Sequence, residues 1–484
     1  MAEAVNQPES SVAAQAPLCV DLDGTLVQSD TLVDSLLALL RARPMLMFQL
    51  PGRLLHGKAA FKAFVSESVS LDVDHLPYNQ KVLQFLHEER ARGRAIYLTT
   101  GADVGLARRV AAHLGIFAGV LASDGATNLT GNKKLESLRS RLDSGVFDYI
   151  GNDTPDLPLL AYANVAMVAN PSLGLTMKLR ARGIRPARQF NECSHPVKTL
   201  LKAVRLQQWA KNLLIYIPLL LSHALSAGKL LAALEAFCCF SLTASAAYIV
   251  DDLLDIEADR RHPQRRLRPF ASGDLPALTG MGIVAIFLLL GLLGGSLLPG
   301  NFSGWLFLYL AATLAYSLYL KRIALMDVLV LSGLYILRLL AGGAATLTPV
   351  SHWLAGFSIF LFLSLAIVKR FAELENLRAN SSTPRNGSRH LLADMKQLRI
   401  LGAASAFAAV AVFALYISGP HAAKHYSQPR QLWLILPLMI LWLFRLWLLA
   451  SRGELDKDPV VFAFTDSMSL VIGAAAVVIA LLAI

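Results

Sequence analysis

The chain has 484 residues, of which 55% are hydrophobic and only 16% charged, with a formal net charge of +11. Soluble domains average about 25% charged residues, so the composition excludes an ordinary soluble protein, and the length excludes a single small domain. The basic excess suits loops at a membrane surface or anionic substrates; without a DNA- or RNA-binding motif it does not point to nucleic acid.

Residues 1–16 lack a basic region followed by an apolar stretch. They predict a disordered lead rather than a signal peptide, with the N-terminal domain on the cytoplasmic side. Leu18-Cys19-Val20, Ala95 to Leu98, Gly119 to Leu121, Phe147 to Ile150 and Ala166 to Val168 are short apolar runs between helical patterns. Buried parallel strands have this form, and the alternation predicts an α/β domain over 17–190. The first run leads into Asp21-Leu22-Asp23-Gly24-Thr25-Leu26. Two carboxylates two residues apart on a strand-to-loop turn stand near one metal at the carboxyl end of a sheet.

That stretch resembles the first motif of haloacid-dehalogenase-type phosphohydrolases. The resemblance implies a Rossmann-like fold with a helical cap. It makes Asp21 the nucleophile on phosphorus and Asp23 the acid that protonates the leaving oxygen. It also makes Thr100 a phosphate-binding hydroxyl and Lys134, preferred over Lys133, the phosphate-binding lysine, with Asp21, Asp23 and Asp156 around Mg2+. Gly151-Asn152-Asp153-Thr154-Pro155-Asp156 departs from the fourth motif: Asn152 stands where a metal-binding Asp is usual, which weakens the metal site. Two readings stay open, a phosphatase and a folded but catalytically slow regulatory or scaffolding module.

The stretch from Thr31 to Phe64 is apolar, carries scattered Arg and Lys, and is interrupted by Pro44 and Pro51. It is too broken to span a bilayer and predicts a helical cap, either an ordinary insertion or one lying on the membrane surface.

After a lead-in at 191–209, stretches long enough to cross a bilayer (about 20 residues) follow one another closely. Nine spans are expected, near 210–226, 229–250, 278–298, 303–320, 325–346, 352–369, 398–419, 430–450 and 460–484, giving an all-α membrane domain over 210–484. Basic residues gather before the first span (Lys178 to Arg205), after the second (Arg260 to Arg268), after the fourth (Lys321, Arg322) and after the sixth (Lys369, Arg370, Arg378, Arg385, Arg389, Lys396, Arg399). These loops predict one cytoplasmic face of an inner membrane, shared with the α/β domain. The four cysteines, Cys19, Cys193, Cys238 and Cys239, have no metal-ligand spacing and read as reduced packing residues.

Asp252, Asp255 and Asp259, spaced i, i+3, i+7, share one face of a helix at the end of the second span, with Asp251 at its edge. Three such carboxylates cannot stay ionised together without cations. Mg2+, which favours carboxylates plus substrate phosphates, is the expected partner and would bind and neutralise a departing diphosphate. Behind them Arg260-Arg261-His262-Pro263-Gln264-Arg265-Arg266-Leu267-Arg268-Pro269 suits a polyanionic substrate. Arg266 and Arg268 read as ligand contacts, whereas Arg260 and Arg261 serve equally well as headgroup anchors.

Asp-Asp-Leu-Leu-Asp-Ile-Glu-Ala-Asp from Asp251, followed by Arg-Leu-Arg-Pro-Phe-Ala-Ser-Gly from Arg266, resembles the first signature of the UbiA-type prenyltransferase superfamily, with Asp251 in place of the usual Asn. The aromatic-acceptor branch carries a second acidic cluster after the sixth helix, where this chain has Lys369-Arg370-Phe371-Ala372-Glu373. Two cations there favour anions over further metal ions. With Lys211-Asn212 opening the first span, Tyr316 and Lys321 closing the fourth, Asp327, Tyr335 and Arg338 in the fifth, and Asp458-Pro459 before the last, the pattern resembles the decaprenyl-phosphate phosphoribosyltransferase branch.

The resemblance implies 5-phosphoribosyl diphosphate as donor and a polyprenyl phosphate lipid as acceptor. Lys211, Asn212, Arg266, Arg268, Tyr316, Lys321, Arg338, Lys369 and Arg370 are then the substrate-binding set, and the α/β domain would remove the product's 5′-phosphate. The first motif alone equally allows a prenyltransferase acting on an aromatic or other small acceptor, with an inactive phosphatase-like domain. A third reading, in which the membrane half is only an anchor, leaves the acidic and Arg-rich segment unexplained. A homo-oligomer is allowed but not specified.

Overall fold

The computed structural model describes residues 16–142, 145–192, 196–222, 225–323, 325–380, 388–420, 422, 426–455 and 458–484. The expected lead up to residue 15, Cys193 and Arg385 lie outside the described residues. The chain falls into two compact units: residues up to Ala203 with Ile249–Gly282, and Val204–Tyr248 with Ile283–Ile484. The segment after the second span thus packs with the α/β part, although the sequence divides the domains only once, near 191–209.

In the first unit, Leu18–Val20 (β1), Ile96–Asp103 (β2), Gly119–Ser123 (β3), Asp148–Gly151 (β4), Ala166–Ala169 (β5) and Arg188–Phe190 (β6) form a six-stranded sheet in the order β3-β2-β1-β4-β5-β6. Every pairing is parallel. The α/β fold class expected from the alternating runs is the one observed. β6 was not anticipated, because Arg188 and Gln189 are exposed and the strand has no apolar run.

Alternate strand residues enter separate cores, as the two-residue strand period requires. Leu18, Val20, Ile96, Leu98 and Ile150 meet Val82, Phe85 and Leu86 of a helix over Gln80–Ala91 on one face. Cys19, Tyr149 and Val168 meet Leu157, Leu160, Leu175 and Leu179 on the other. β1 lies between β2 and β4, so the order in which successive strands are added to the sheet reverses beside it. In parallel sheets ligands bind at the carboxyl ends of strands at such a switch point, and Asp21 follows β1 there.

The expected cap is helix α1 (Thr31–Ala42), a 3-10 turn over Pro44–Gln49, α2 (Leu50–Leu55) and α3 (Lys58–Ser68). Asp30 caps α1 by accepting from the Leu32 and Val33 N–H groups. Pro44 and Pro51 open the two short pieces, where a missing N–H costs no helical hydrogen bond.

The second unit is helical. Of the nine expected spans, six helices among the described residues are long and apolar enough to cross a membrane, and the chain is a multi-pass membrane protein. A seventh is counted if Pro459–Thr465 and Ser467–Ala483, bent by 80°, form one span. The bend has a local cause: Asp466 leaves helical geometry, caps the second piece through the Ser469 N–H and pairs with Arg445. The expected fourth span, Phe302–Leu318, is apolar but only 17 residues long. The expected first is a 3-10 run, Leu206–Tyr216, followed by the short helix Ile217–Leu221. Gly342 fixes that run closely, since a Cβ on it would lie 2.0 Å from the Ile215 carbonyl oxygen.

Candidate functional site

At the end of β1 the Asp21 carboxylate accepts from Lys134 Nζ at 2.6 Å, and the same ammonium lies 3.4 Å from Asp156 Oδ1. All three groups are buried. Burial pushes the Asp21 carboxyl up to about 7, against the pull of Lys134. Asp23 accepts from the Thr31 N–H at 2.8 Å, and burial pushes its carboxyl up to about 6, a range that suits a group holding a proton for a leaving oxygen. Thr100 is buried within β2, its hydroxyl oxygen accepting from the Ala102 N–H at 3.0 Å.

Asp156, expected as a metal ligand, has both oxygens engaged by the protein. Oδ1 accepts from Tyr149 OH at 2.7 Å and Oδ2 from the Asn152 N–H at 3.1 Å, so it orders the loop after β4. The amide of Asn152 packs on Gly24: a Cβ there would lie 1.9 Å from Asn152 Nδ2, and Gly24 has a φ of +72° that disfavours side chains. The departure from the family motif therefore stands directly over the Asp21–Gly24 loop.

The sequence reading missed Lys62. From α3 it donates to the Gly101 carbonyl at 2.7 Å and to Asn128 Oδ1 at 3.0 Å, and burial lowers its pKa. A lone lysine in an amphipathic helix carries no local signal. Cys19 agrees with its packing role, since burial pushes its thiol up to about 12.

The acidic segment is not one continuous helix. The long helix Ala227–Leu254 (here the second-span helix) stops before Asp255, and a short one, Ile256–Arg261, follows. Helical register survives the break: the Asp255 N–H donates to Asp251 O at 3.0 Å and the Asp259 N–H to Asp255 O at 2.8 Å. The expected convergence of three carboxylates is split. Arg268 Nη1 donates to Asp252 Oδ1 at 2.9 Å and to Asp259 Oδ2 at 2.7 Å, whereas Asp255 pairs with Arg41 of α1 at 2.5 Å. Carboxylates this close need cations to remain ionised; Arg268 and Arg41 pair with them closely, and Arg265 lies 4.0 Å from Asp259 Oδ1.

Among the described residues no three His, Cys, Asp or Glu side chains are grouped to hold one metal ion. The donor set still fits a divalent cation in one respect. Asp259 Oδ1 is buried without a hydrogen-bond partner, and burial raises the Asp259 pKa against the opposing pull of Arg268. Arg265 Nη1 stands 4.0 Å from it, and a buried carboxylate oxygen without a hydrogen bond is where an added cation gains most.

The remaining arginines part company. Arg260, read as an anchor or a ligand, is buried: it donates to Asp34 Oδ2 at 2.8 Å, Ser29 Oγ at 3.0 Å and Ala271 O at 3.1 Å. Arg261 pairs with Asp72 at 2.7 Å. Arg266 is exposed on the turn Arg265–Leu267 and does not join the carboxylates.

In the helical unit two of the expected phosphate contacts, Lys211 and Lys369, meet at Asp458. Its carboxylate accepts from Lys211 Nζ at 2.7 Å and Tyr335 OH at 2.9 Å, lies 3.7 Å from Lys369 Nζ, and caps the helix Pro459–Thr465. Arg338 is buried and paired within the protein, donating to Asn212 Oδ1 at 2.9 Å and Tyr309 OH at 3.0 Å. Asn212 in turn donates to Ser241 Oγ at 2.9 Å. Arg370 stands 3.2 Å from Asp327 and 3.3 Å from Glu373, so its charge is largely answered. Tyr316 and Lys321 are half-buried near the end of Phe302–Leu318. Asp458 was noticed only as a residue before the last span; its link to Lys211 crosses 247 positions.

Residues 214–479 match the model of the UbiA prenyltransferase family. The protein y4nM of Sinorhizobium fredii is 36% identical over 461 residues, covering 95% of this chain and 89% of that one. Nodulation protein NoeC of Azorhizobium caulinodans is 33% identical over 57% of this chain and 90% of its own length. The decaprenyl-phosphate phosphoribosyltransferase of Mycobacterium tuberculosis is 38% identical over 185 residues, 37% of this chain and 61% of that protein. With over half of its length inside the family match and one relative aligned along nearly all of it, this chain belongs to the UbiA prenyltransferase family of transferases.

Proposed function

We propose that this membrane transferase moves a 5-phosphoribosyl group from 5-phosphoribosyl diphosphate to a polyprenyl phosphate, and that its α/β unit removes the 5′-phosphate of the product. The observation that carries the first half is Lys369, which stands after the sixth expected span where the aromatic-acceptor branch has acidic residues and shares Asp458 with Lys211. The likeness to a decaprenyl-phosphate phosphoribosyltransferase supports it.

Asp252, Asp255 and Asp259 would hold Mg2+, which when bound neutralises charge on the leaving diphosphate. Arg268, already between Asp252 and Asp259, is placed to pass from carboxylate to diphosphate. The bond from ribose C1 to the diphosphate oxygen breaks as a lipid phosphate oxygen bonds to C1 from the opposite face. A phosphate nucleophile needs no strong base, so positioning and charge neutralisation carry the catalysis. Lys211 and Lys369 orient an anionic phosphate by exchanging Asp458 for it.

In the α/β unit the Asp21 carboxylate attacks phosphorus, and Asp23 gives its proton to the departing sugar oxygen. Water then cleaves the aspartyl-phosphate and releases inorganic phosphate. Lys134 balances the charge between Asp21 and Asp156. Both reactions take place on the cytoplasmic face of the inner membrane, where the basic loops gather.

One observation favours the alternative, transfer of a prenyl group to a small acceptor: Arg370, inside the helix His352–Asn380, is answered by Asp327 and Glu373, so that stretch is less basic than its sequence. Membranes holding the protein, supplied with radiolabelled 5-phosphoribosyl diphosphate, polyprenyl phosphate and Mg2+, separate the two readings. Label entering the lipid fraction supports the phosphoribosyl reading. An unlabelled lipid fraction, with prenyl diphosphate consumed instead, overturns it.

A further inference from the structure

The cap exposes apolar side chains beside the end of a helix long and apolar enough to cross a membrane. Met45 is 76% exposed, Phe48 83% and Leu55 88%. They lie on the 3-10 turn Pro44–Gln49 and on α2, neither of which has a buried residue. Contiguous exposed apolar residues of this size mark an interaction surface.

Two observations say what covers it. The first is position. Arg41 lies just before the segment, and its Nη1 donates to Leu254 O at 3.0 Å and pairs with Asp255 at 2.5 Å. Leu254 is the last residue of a helix long and apolar enough to cross the membrane. The apolar segment therefore begins where a span leaves the hydrocarbon. The second is charge. No acidic residue occurs between Asp34 and Glu67, while Arg41, Arg43, Arg53, Lys58 and Lys62 do. Apolar groups ringed by cations complement an anionic headgroup layer.

We propose that residues 44–55 insert into the headgroup–acyl boundary of the leaflet at which the second-span helix ends, and so hold the mouth of the α/β site on the bilayer surface. The same cap carries Lys62, which reaches Gly101 and Asn128 beside Thr100. A phosphate ester on a lipid then reaches Asp21 without leaving the membrane. That last consequence rests on the phosphatase reading; the insertion itself does not.

The test uses the full chain in nanodiscs of phosphatidylcholine and phosphatidylglycerol containing a lipid with a photoactivatable acyl chain, with labelled peptides identified by mass spectrometry. Label appears on 44–55 as well as on the spans. A Phe48→Glu/Leu55→Glu double variant loses it from 44–55, and hydrolyses a lipid-linked phosphate ester more slowly while p-nitrophenyl phosphate is turned over as before. Label confined to the spans in the wild type overturns the proposal. Protection of 44–55 that grows with protein density also overturns it and gives the face to a second copy. If neither ester is hydrolysed but 44–55 is labelled, the insertion stands and only the phosphatase reading falls.

Discussion

In the α/β unit one ammonium, Lys134 Nζ, serves two buried carboxylates at 2.6 and 3.4 Å, at the ends of strands fixed by parallel pairing. After the second-span helix, three carboxylates at a helix break are divided between two half-exposed arginines, Arg268 and Arg41. The first arrangement is preformed: strand register, a tyrosine hydroxyl and loop N–H groups each hold a carboxylate in place. The second is held by long side chains whose charges a substrate and its cation can replace. On the proposed reactions, the site that admits and releases a diphosphate gains from exchangeable partners, whereas the one at Asp21, where a bond to phosphorus would form, gains from rigidity.

The sharpest way to break the comparison is to disable each site alone. Asp21→Asn removes the proposed nucleophile and Asp255→Asn a proposed cation ligand. Each should lower its own reaction by about 10³-fold or more while leaving the other intact. Asp21→Asn therefore accumulates lipid-linked phosphoribose that keeps its phosphate, resolved by chromatography of the labelled lipid. If Asp255→Asn also stopped hydrolysis of a soluble phosphate ester, the sites would not be separate.

Much of the first site could be read in advance, because each member sits in a short local motif beside the sheet: Asp21 and Asp23 after β1, Thr100 in β2 and Asp156 in the turn after β4, with Lys134 on the helix Asn132–Arg141. What could not be read was use. Nothing in Asp156 tells that Tyr149 and two N–H groups occupy it. The second site was legible as composition and not as geometry, since Arg41 lies 214 positions before Asp255 and helix periodicity does not predict the break at Asp255. Span counting failed where residues 206–221 fold as a 3-10 run and a short helix, because hydropathy measures apolarity and not helix length.

Next in size is Lys211→Met. A charge-assisted contact contributes about 1.5–3 kcal/mol, so KM for an anionic substrate of the transfer should rise roughly 10- to 100-fold, with kcat changed less. A variant that loses thermal stability but keeps KM would make Lys211 only the counter-ion of Asp458.

Arg260→Ala probes what joins the helix break to the cap. It leaves buried Asp34 with only Ser29 as partner, and loss of one member of a buried pair costs about 3–5 kcal/mol. Arg261→Ala, at a largely exposed pair with Asp72, should cost under about 1 kcal/mol. Thermal unfolding of the two proteins in detergent measures the difference. Equal effects would mean that Arg260 is not held as tightly as its burial implies.

The smallest effect tests the rigidity assigned to the α/β site. Tyr149→Phe removes one hydrogen bond to Asp156 but keeps the ring 5.3 Å from Lys134 Nζ. Asp156 Oδ2 still accepts from the Asn152 N–H, and Oδ1 still faces Lys134. A carboxylate with that many partners should lose about 1 kcal/mol of folding stability, and hydrolysis of a soluble phosphate ester should fall only a few-fold. A much larger loss of rate, with stability nearly unchanged, would show that Asp156 is steered by this one hydroxyl. The strand-end site would then depend on a single replaceable partner, as the helix-break site does on Arg268.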